Sequence, residues 1–220
     1  MSTAKAVGAS TEDGDPLALA LFGLTVVSGL IDAVSYLGLG HVFAANMTGN
    51  VVVIGFALAG APGFSVLGSI TSLSAFLLGA ALAGRLTAGR LRFALVAETL
   101  LHLAAAGVVF AAGTGGDVQY GVIALLAVAM GIRNATVRSL GVPDLTTTVL
   151  TMTLTSLAAE PHSPRRRRRV LAALTMLAGV VPGSVLVLHG QTGWALIAAA
   201  ALTAATWALY REPADGSHGA

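Results

Sequence analysis

A few charged and amide side chains interrupt runs that are otherwise apolar. Asp32 stands in the run 17–39, Glu98 and His102 in the run 91–112, and Arg133 and Asn134 in the run 118–138. A charge inside hydrocarbon is costly and marks a functional position by default. Asp32 suits a proton, a cation or a substrate amine; the alternative is a structural hydrogen bond to the amides of Asn46 or Asn50. Glu98 and His102 are four residues apart, so they share one helix face, and histidine exchanges protons near neutral pH. The pair reads as a proton relay, against a carboxylate that reaches toward the interface. Two ligands on one helix fall short of a metal site, which takes three or four.

Arg133 has two readings: a side chain that snorkels to the interface, or one that turns inward to pair with Glu98 or attract an anionic substrate. Arg138, nearer the end of the same run, is read as snorkelling. The stretch Val42-Phe43-Ala44-Ala45-Asn46-Met47-Thr48-Gly49-Asn50 places two amides, a hydroxyl and a glycine together. Asn46 or Thr48 there can cap a half-helix that starts near Gly49 and point its positive end into the protein. Such an end receives a carboxylate, a phosphate or a polar substrate. The alternative is a kinked helix whose amides bond neighbouring spans. Thr148, Thr151 and Thr155 recur at helical spacing and line a polar face, or join helices as threonines commonly do.

The elements that position these residues follow from composition. Of 220 residues, 55% are hydrophobic and 10% charged, with a mean hydropathy of +0.84; soluble domains carry about 25% charge. The chain is therefore expected to be an all-α polytopic membrane bundle. The runs Leu17–Leu39, Ser65–Leu86, Leu91–Ala112, Val118–Arg138, Val170–Leu188 and Gly193–Tyr210 each suffice to cross ~30 Å of hydrocarbon. Two shorter stretches, Val42–Gly60 and Leu145–Glu160, are richer in Asn, Thr and Gly. The sequence has no cysteine, which removes disulfides, thiolate metal sites and cysteine nucleophiles. No cofactor, metal or nucleic acid is expected; the partners expected are membrane lipids, a small-molecule or ion substrate, and a second copy in a homo-oligomer.

Arginine placement sets the topology. Arg85, Arg90 and Arg92 form one cluster and Arg165 to Arg169 another, and basic loops face the cytoplasm. If the short stretches crossed fully, the two clusters would lie on opposite sides. If those stretches re-enter, both clusters and both termini lie on the cytoplasmic side of a bacterial inner membrane. Six full spans and two re-entrant or broken segments are therefore predicted. The halves also align: Gly29-Leu30-Ile31-Asp32-Ala33 with Gly131-Ile132-Arg133-Asn134-Ala135, and Thr48-Gly49-Asn50 with Thr151-Met152-Thr153. The reading is a cytoplasmic tail at 1–16, repeats over about 17–113 and 117–211, and a disordered tail at 212–220. Three crossings per repeat invert the second copy, a transporter architecture with its site at the repeat interface.

The run Ser28-Gly29-Leu30-Ile31-Asp32-Ala33-Val34-Ser35-Tyr36-Leu37-Gly38, followed by Ala45-Asn46-Met47-Thr48-Gly49-Asn50, closely resembles the YoaK family of bacterial multi-pass membrane proteins. Arg133-Asn134-Ala135 and Thr146-Thr147-Thr148-Val149-Leu150-Thr151 are similar to the family as well, and the resemblance covers the whole apolar domain. Family members usually have glycine where Met152 stands and a neutral amide where Arg133 stands, which implies a stiffer and more positive second break here. The resemblance implies class and location, and no reaction.

The expectation is a small secondary transporter or permease for a polar or ionisable solute, with proton coupling as one option. Its substrate- or ion-binding set is Asp32, Asn46, Thr48, Gly49, Asn50, Asn134 and Thr151, with Glu98 and His102 as proton carriers and Arg133 as an anion contact. The alternatives are a membrane-embedded enzyme using Glu98 and His102 as acid and base, or a lipid-sensing or assembly protein. No nucleophile, metal or phosphate-loop motif favours the enzyme.

Overall fold

The computed structural model describes residues 16–87, 90–140, 155, 157–160 and 166–210. Among them is no strand, and seven α-helices have described bounds: α1 (Pro16–Gly38), α2 (Met47–Leu58), α3 (Val66–Leu86), α4 (Leu91–Ala112), α5 (Val118–Ser139), α6 (Arg166–Leu188) and α7 (Thr192–Leu209), with residues 155 and 157–159 helical as well. Six of them, all but the twelve-residue α2, are long and apolar enough to cross a membrane. Leu58, Leu67, Leu77, Leu100 and Leu188 are exposed, whereas Ser28, Asp32, Asn50, Glu98, His102 and Arg133 are buried. Lipid favours this distribution, because a polar group facing hydrocarbon finds no water.

Helix ends are set locally. Ser65 caps α3 by accepting from the Gly68 N–H at 3.0 Å, and α4 stops at Gly113, whose φ of 76° suits a residue without Cβ. One boundary corrects the sequence reading: α6 begins at Arg166 rather than Val170. Arginine is a good helix former, so Arg166 to Arg169 make the first turn, and Arg169 pairs with Glu160 at 2.9 Å. Most of the stretch Leu145–Glu160 lies outside the described residues.

Helix directions follow from which ends meet. α1 and α6 run parallel, with Gly29 against Met176 and Gly38 against Val187. α3 and α5 also run parallel, with Gly131 against Phe76 and Thr87 Oγ1 3.2 Å from Thr136 Oγ1. α4 and α7 are antiparallel: Arg92 lies over the Trp207 ring at 4.6 Å, while Phe110 meets Trp194 edge-on at 5.6 Å. α1 opposes α7 through Gly23 with Thr206 and Gly38 with Thr192, and α4 opposes α5, with Leu91, Leu95 and Val137 in one buried cluster and Ala105, Ala106 and Ile123 in another. Thus α1, α4 and α6 point one way and α3, α5 and α7 the other. Residues 39–65 accordingly leave and return at one end, where His41 Nδ1 is 2.9 Å from the Gly63 carbonyl. Arg85, Arg90, Arg92, Arg138 and Arg166 to Arg169 gather at the opposite end.

Two helix crossings bring backbones together where a Cβ would collide. In α1 with α6, Gly29 lies against the Met176 carbonyl and the Val180 N–H, and Gly179 against the Val26 carbonyl. In α5 with α3, Gly131 lies against the Phe76 carbonyl and the Ala80 N–H, and Gly79 against the Val128 carbonyl. Adding 102 to the α1 numbers and subtracting 100 from the α6 numbers turns the first set of contacts into the second, atom for atom.

Candidate functional site

The deepest charged side chains converge between α1, α4 and α5. Arg133, 2% exposed, donates from Nη1 to Glu98 Oε1 at 2.9 Å and to the Leu24 carbonyl at 3.1 Å. Its Nη2 donates to Ser28 Oγ and lies 3.1 Å from Met130 Sδ. Glu98 and His102 are both fully enclosed. Glu98 Oε2 and both ring nitrogens of His102 have no hydrogen-bond partner among the described residues. A lone buried charge is expensive, so the Arg133–Glu98 pair holds only because each member compensates the other.

Asp32 lies one turn beyond Ser28 on α1 and feels the Arg133 charge. Its Oδ1 accepts from the Ala45 N–H at 2.8 Å. Asp32 is six residues from the end of α1, roughly 9 Å at 1.5 Å per residue. The chain after α1 descends along that helix to this depth. His41 N–H donates to the Tyr36 carbonyl at 3.0 Å, the Phe43 ring stacks on Tyr36 at 4.7 Å, and Ala44 N–H donates to Ser35 Oγ at 3.1 Å. The backbone N–H groups of an extended segment are satisfied here by α1 side chains, which makes such a segment tolerable inside a membrane protein. α2 then turns back from that depth.

Asn50 fastens the descending segment to α3. It accepts from the Phe43 N–H at 2.9 Å and donates to the Phe43 carbonyl at 2.7 Å and to Ser72 Oγ at 3.2 Å, and Ser72 donates to the same carbonyl at 2.6 Å. Asn46 caps α2 by accepting from the Gly49 N–H at 3.2 Å. Gly49 lets the Phe43 ring pack on the first turn, where a Cβ would fall 2.6 Å from it.

Several expectations change at this point. Asp32 bonds the Ala45 backbone, not the amide side chains of Asn46 or Asn50. The half-helix starts at Met47, two residues before Gly49, with Asn46 as its cap as the sequence suggests, and Asn46 and Thr48 are exposed. Of the two readings of Arg133 the inward one, paired with Glu98, matches the geometry, and Glu98 does not reach for the interface; each lies too deep and is held by the other. Arg138 is exposed near the end of its helix. The structure brings Asp32, Glu98, His102 and Arg133 into one neighbourhood. Asn134 is half-buried on α5, and Thr148 and Thr151 lie outside the described residues. Ser28 and Ser72 escaped the sequence reading; Ser28 shares a face with Asp32 at four-residue spacing, which is a usable signal, whereas Ser72 has none. Among the described residues no group of three or more His, Cys, Asp or Glu side chains could hold a metal ion.

An all-helical chain with six membrane-length helices around a buried charge cluster is a multi-pass membrane protein. Residues 20–209 match the family described as protein of unknown function DUF1275. Over 141 residues the chain is 36% identical to the UPF0700 transmembrane protein YoaK of Bacillus subtilis (strain 168), covering 61% of this chain and 62% of that relative's length. The protein therefore belongs to the UPF0700/YoaK (DUF1275) family of transmembrane proteins. No solved structure matches it.

Proposed function

We propose that the protein is a small secondary transporter of a bacterial inner membrane, built as an inverted repeat. The observation that carries this is the atom-for-atom correspondence between the Gly29/Gly179 and Gly131/Gly79 crossings. One symmetry operation that exchanges α1 with α5, α3 with α6, and α4 with α7 accounts for both. It also exchanges the α1–α7 contact with the α4–α5 contact and leaves α4–α7 on the axis. In this reading residues 39–65 re-enter, the six long helices cross, and the arginine-rich end with both termini faces the cytoplasm.

Inverted repeats let one half rock against the other around a site at their interface. The Asp32, Glu98, His102 and Arg133 cluster lies there, contributed by α1 and α4 of one half and α5 of the other. It is asymmetric where the scaffold is symmetric: Asp32 corresponds to Asn134, and Arg133 to Ile31. A scaffold matched to the atom with an unmatched charge set at its centre fits a pathway that handles a polar or ionisable solute. Lipids are its surroundings, and no enzymatic step is part of this reading.

Solute flux into proteoliposomes tests it, with a broad panel of metabolites and ions and the Arg133→Gln/Glu98→Gln double variant as the control that removes the charge pair as a unit. Uptake by the natural protein that the variant lacks supports the reading. Silence across the panel contradicts it.

A further inference from the structure

Arg133 bonds one carboxylate and acts electrostatically on a second, and a single guanidinium can neutralise one of them. Glu98 holds it directly at 2.9 Å, and Asp32 stands one turn beyond Ser28, which takes the other arm of the guanidinium. With both acids ionised and His102 neutral, the cluster carries one unbalanced negative charge in a place closed to water. From α5 only Arg133 faces these groups, and from α1 only Asp32; α7 has no titratable side chain, and Arg85 of α3 lies exposed at the arginine-rich end. Buried polar atoms ordinarily find partners. Here Glu98 Oε2 and both nitrogens of His102 do not, among the described residues.

We infer that Glu98, backed by His102, is a proton-binding site in the middle of the membrane domain, and that Arg133 changes partner from Glu98 to Asp32 when the site fills. The unpartnered atoms are one carboxylate oxygen and an imidazole, which together receive a proton; the cluster lacks the donor set of a metal ion. A proton taken from solvent forms an O–H bond at Glu98 Oε2, no bond within the protein breaks, and the cluster charge goes from minus one to zero. His102 sits one turn from Glu98 along α4, on the side away from the arginine-rich end, so it is the relay between Glu98 and the outer surface. The neutral Glu98 gives up its hold on Arg133, and Asp32 becomes the remaining counter-ion. Asp32 also holds the Ala45 N–H, so the exchange acts directly on the re-entrant segment.

The inference deepens the transporter reading and rests on it for the use made of the proton. Its test reads protonation with no transported solute, so the two can fail separately. Infrared difference spectra of the full chain in liposomes, recorded between alkaline and acidic buffer, report the carbonyl stretch of a protonated buried carboxyl group. The expected result is a band that appears on acidification, shifts when the protein is labelled with 13C-glutamate, is lost in Glu98→Gln and persists in Asp32→Asn. In His102→Gln the band should appear more slowly after a pH jump. The labelled natural protein needs no substitution, so a misfolded variant does not spoil the reading. A spectrum without such a band, a band unmoved by glutamate labelling, or one lost in Asp32→Asn and retained in Glu98→Gln overturns the inference.

Discussion

Arg133 on α5 and Glu98 on α4 form an ion pair 2.9 Å long that is closed to solvent on both sides, 2% and 0% exposed. The pair ties α4 to α5. It is also the most costly feature of the interior to disturb. Removing one partner of a buried pair costs about 3–5 kcal/mol, whereas removing both for groups of similar volume is close to neutral. Glu98→Leu or Arg133→Met alone should therefore lower unfolding stability in detergent by that amount, and the double variant Arg133→Met/Glu98→Leu should recover most of it. Additive losses in that double-mutant cycle would mean that the two side chains are not coupled.

The glycine crossings make a prediction with a built-in control. An added Cβ at Gly131 or Gly179 meets a carbonyl oxygen of the neighbouring helix, whereas at Gly107 it meets nothing within 4 Å. Overpacking costs about 1–3 kcal/mol, and alanine inside a helix gains about 0.5–1 kcal/mol over glycine. Gly131→Ala and Gly179→Ala should lose stability by similar amounts, and Gly107→Ala should gain slightly. Equal thermal midpoints for all three would show that the helices do not approach as described.

Asn50 holds the Phe43 N–H and carbonyl, so Asn50→Ala should loosen the segment before α2. Each buried backbone group left unsatisfied costs about 1–3 kcal/mol. Hydrogen exchange at residues 42–46 should rise while exchange in α4 and α7 stays unchanged. Protection that remains as in the natural protein would show that the Asn50 bonds contribute nothing there.

Topology has a separate check. Cysteines placed one at a time at Ala61 and Ser163 in this cysteine-free chain should react with a membrane-impermeant maleimide from opposite faces of the membrane. Three long helices, α3, α4 and α5, lie between the two positions, so reaction from one face would require the stretch 145–160 to cross as well.

The sequence spoke most clearly where physics is bulk. Apolar length alone located the six long helices to within a few residues, because the thickness of hydrocarbon sets the scale. Arginine placement indicated which ends should lie together, and the helix directions agree with it. The Gly29–Gly131 alignment marked two equivalent positions, although nothing in it announced that these glycines are the crossing points, since close approach depends on the partner backbone. The site was less legible. Arg133 near a helix end fits snorkelling and inward pairing with Glu98 alike, and only the fold, which sets the two at one depth, decides between them. Ser28 and Ser72 are plain hydroxyls in apolar runs, and their value comes from what folding sets opposite them. Asn46 and Asn50 were picked out together, yet the first caps a helix on the exposed side and the second is fully buried. A turn of one half-helix separates those fates.

The most direct test of the account is solute flux in proteoliposomes holding the purified full chain. With the natural protein at least one polar or ionisable solute of a broad panel should accumulate, and uptake should fall to the level of empty vesicles in Glu98→Gln/Arg133→Gln while the protein remains folded. A folded natural protein that moves no solute on the panel, or flux unchanged when both charges are removed, would contradict the claim that this buried pair lies on a transport path.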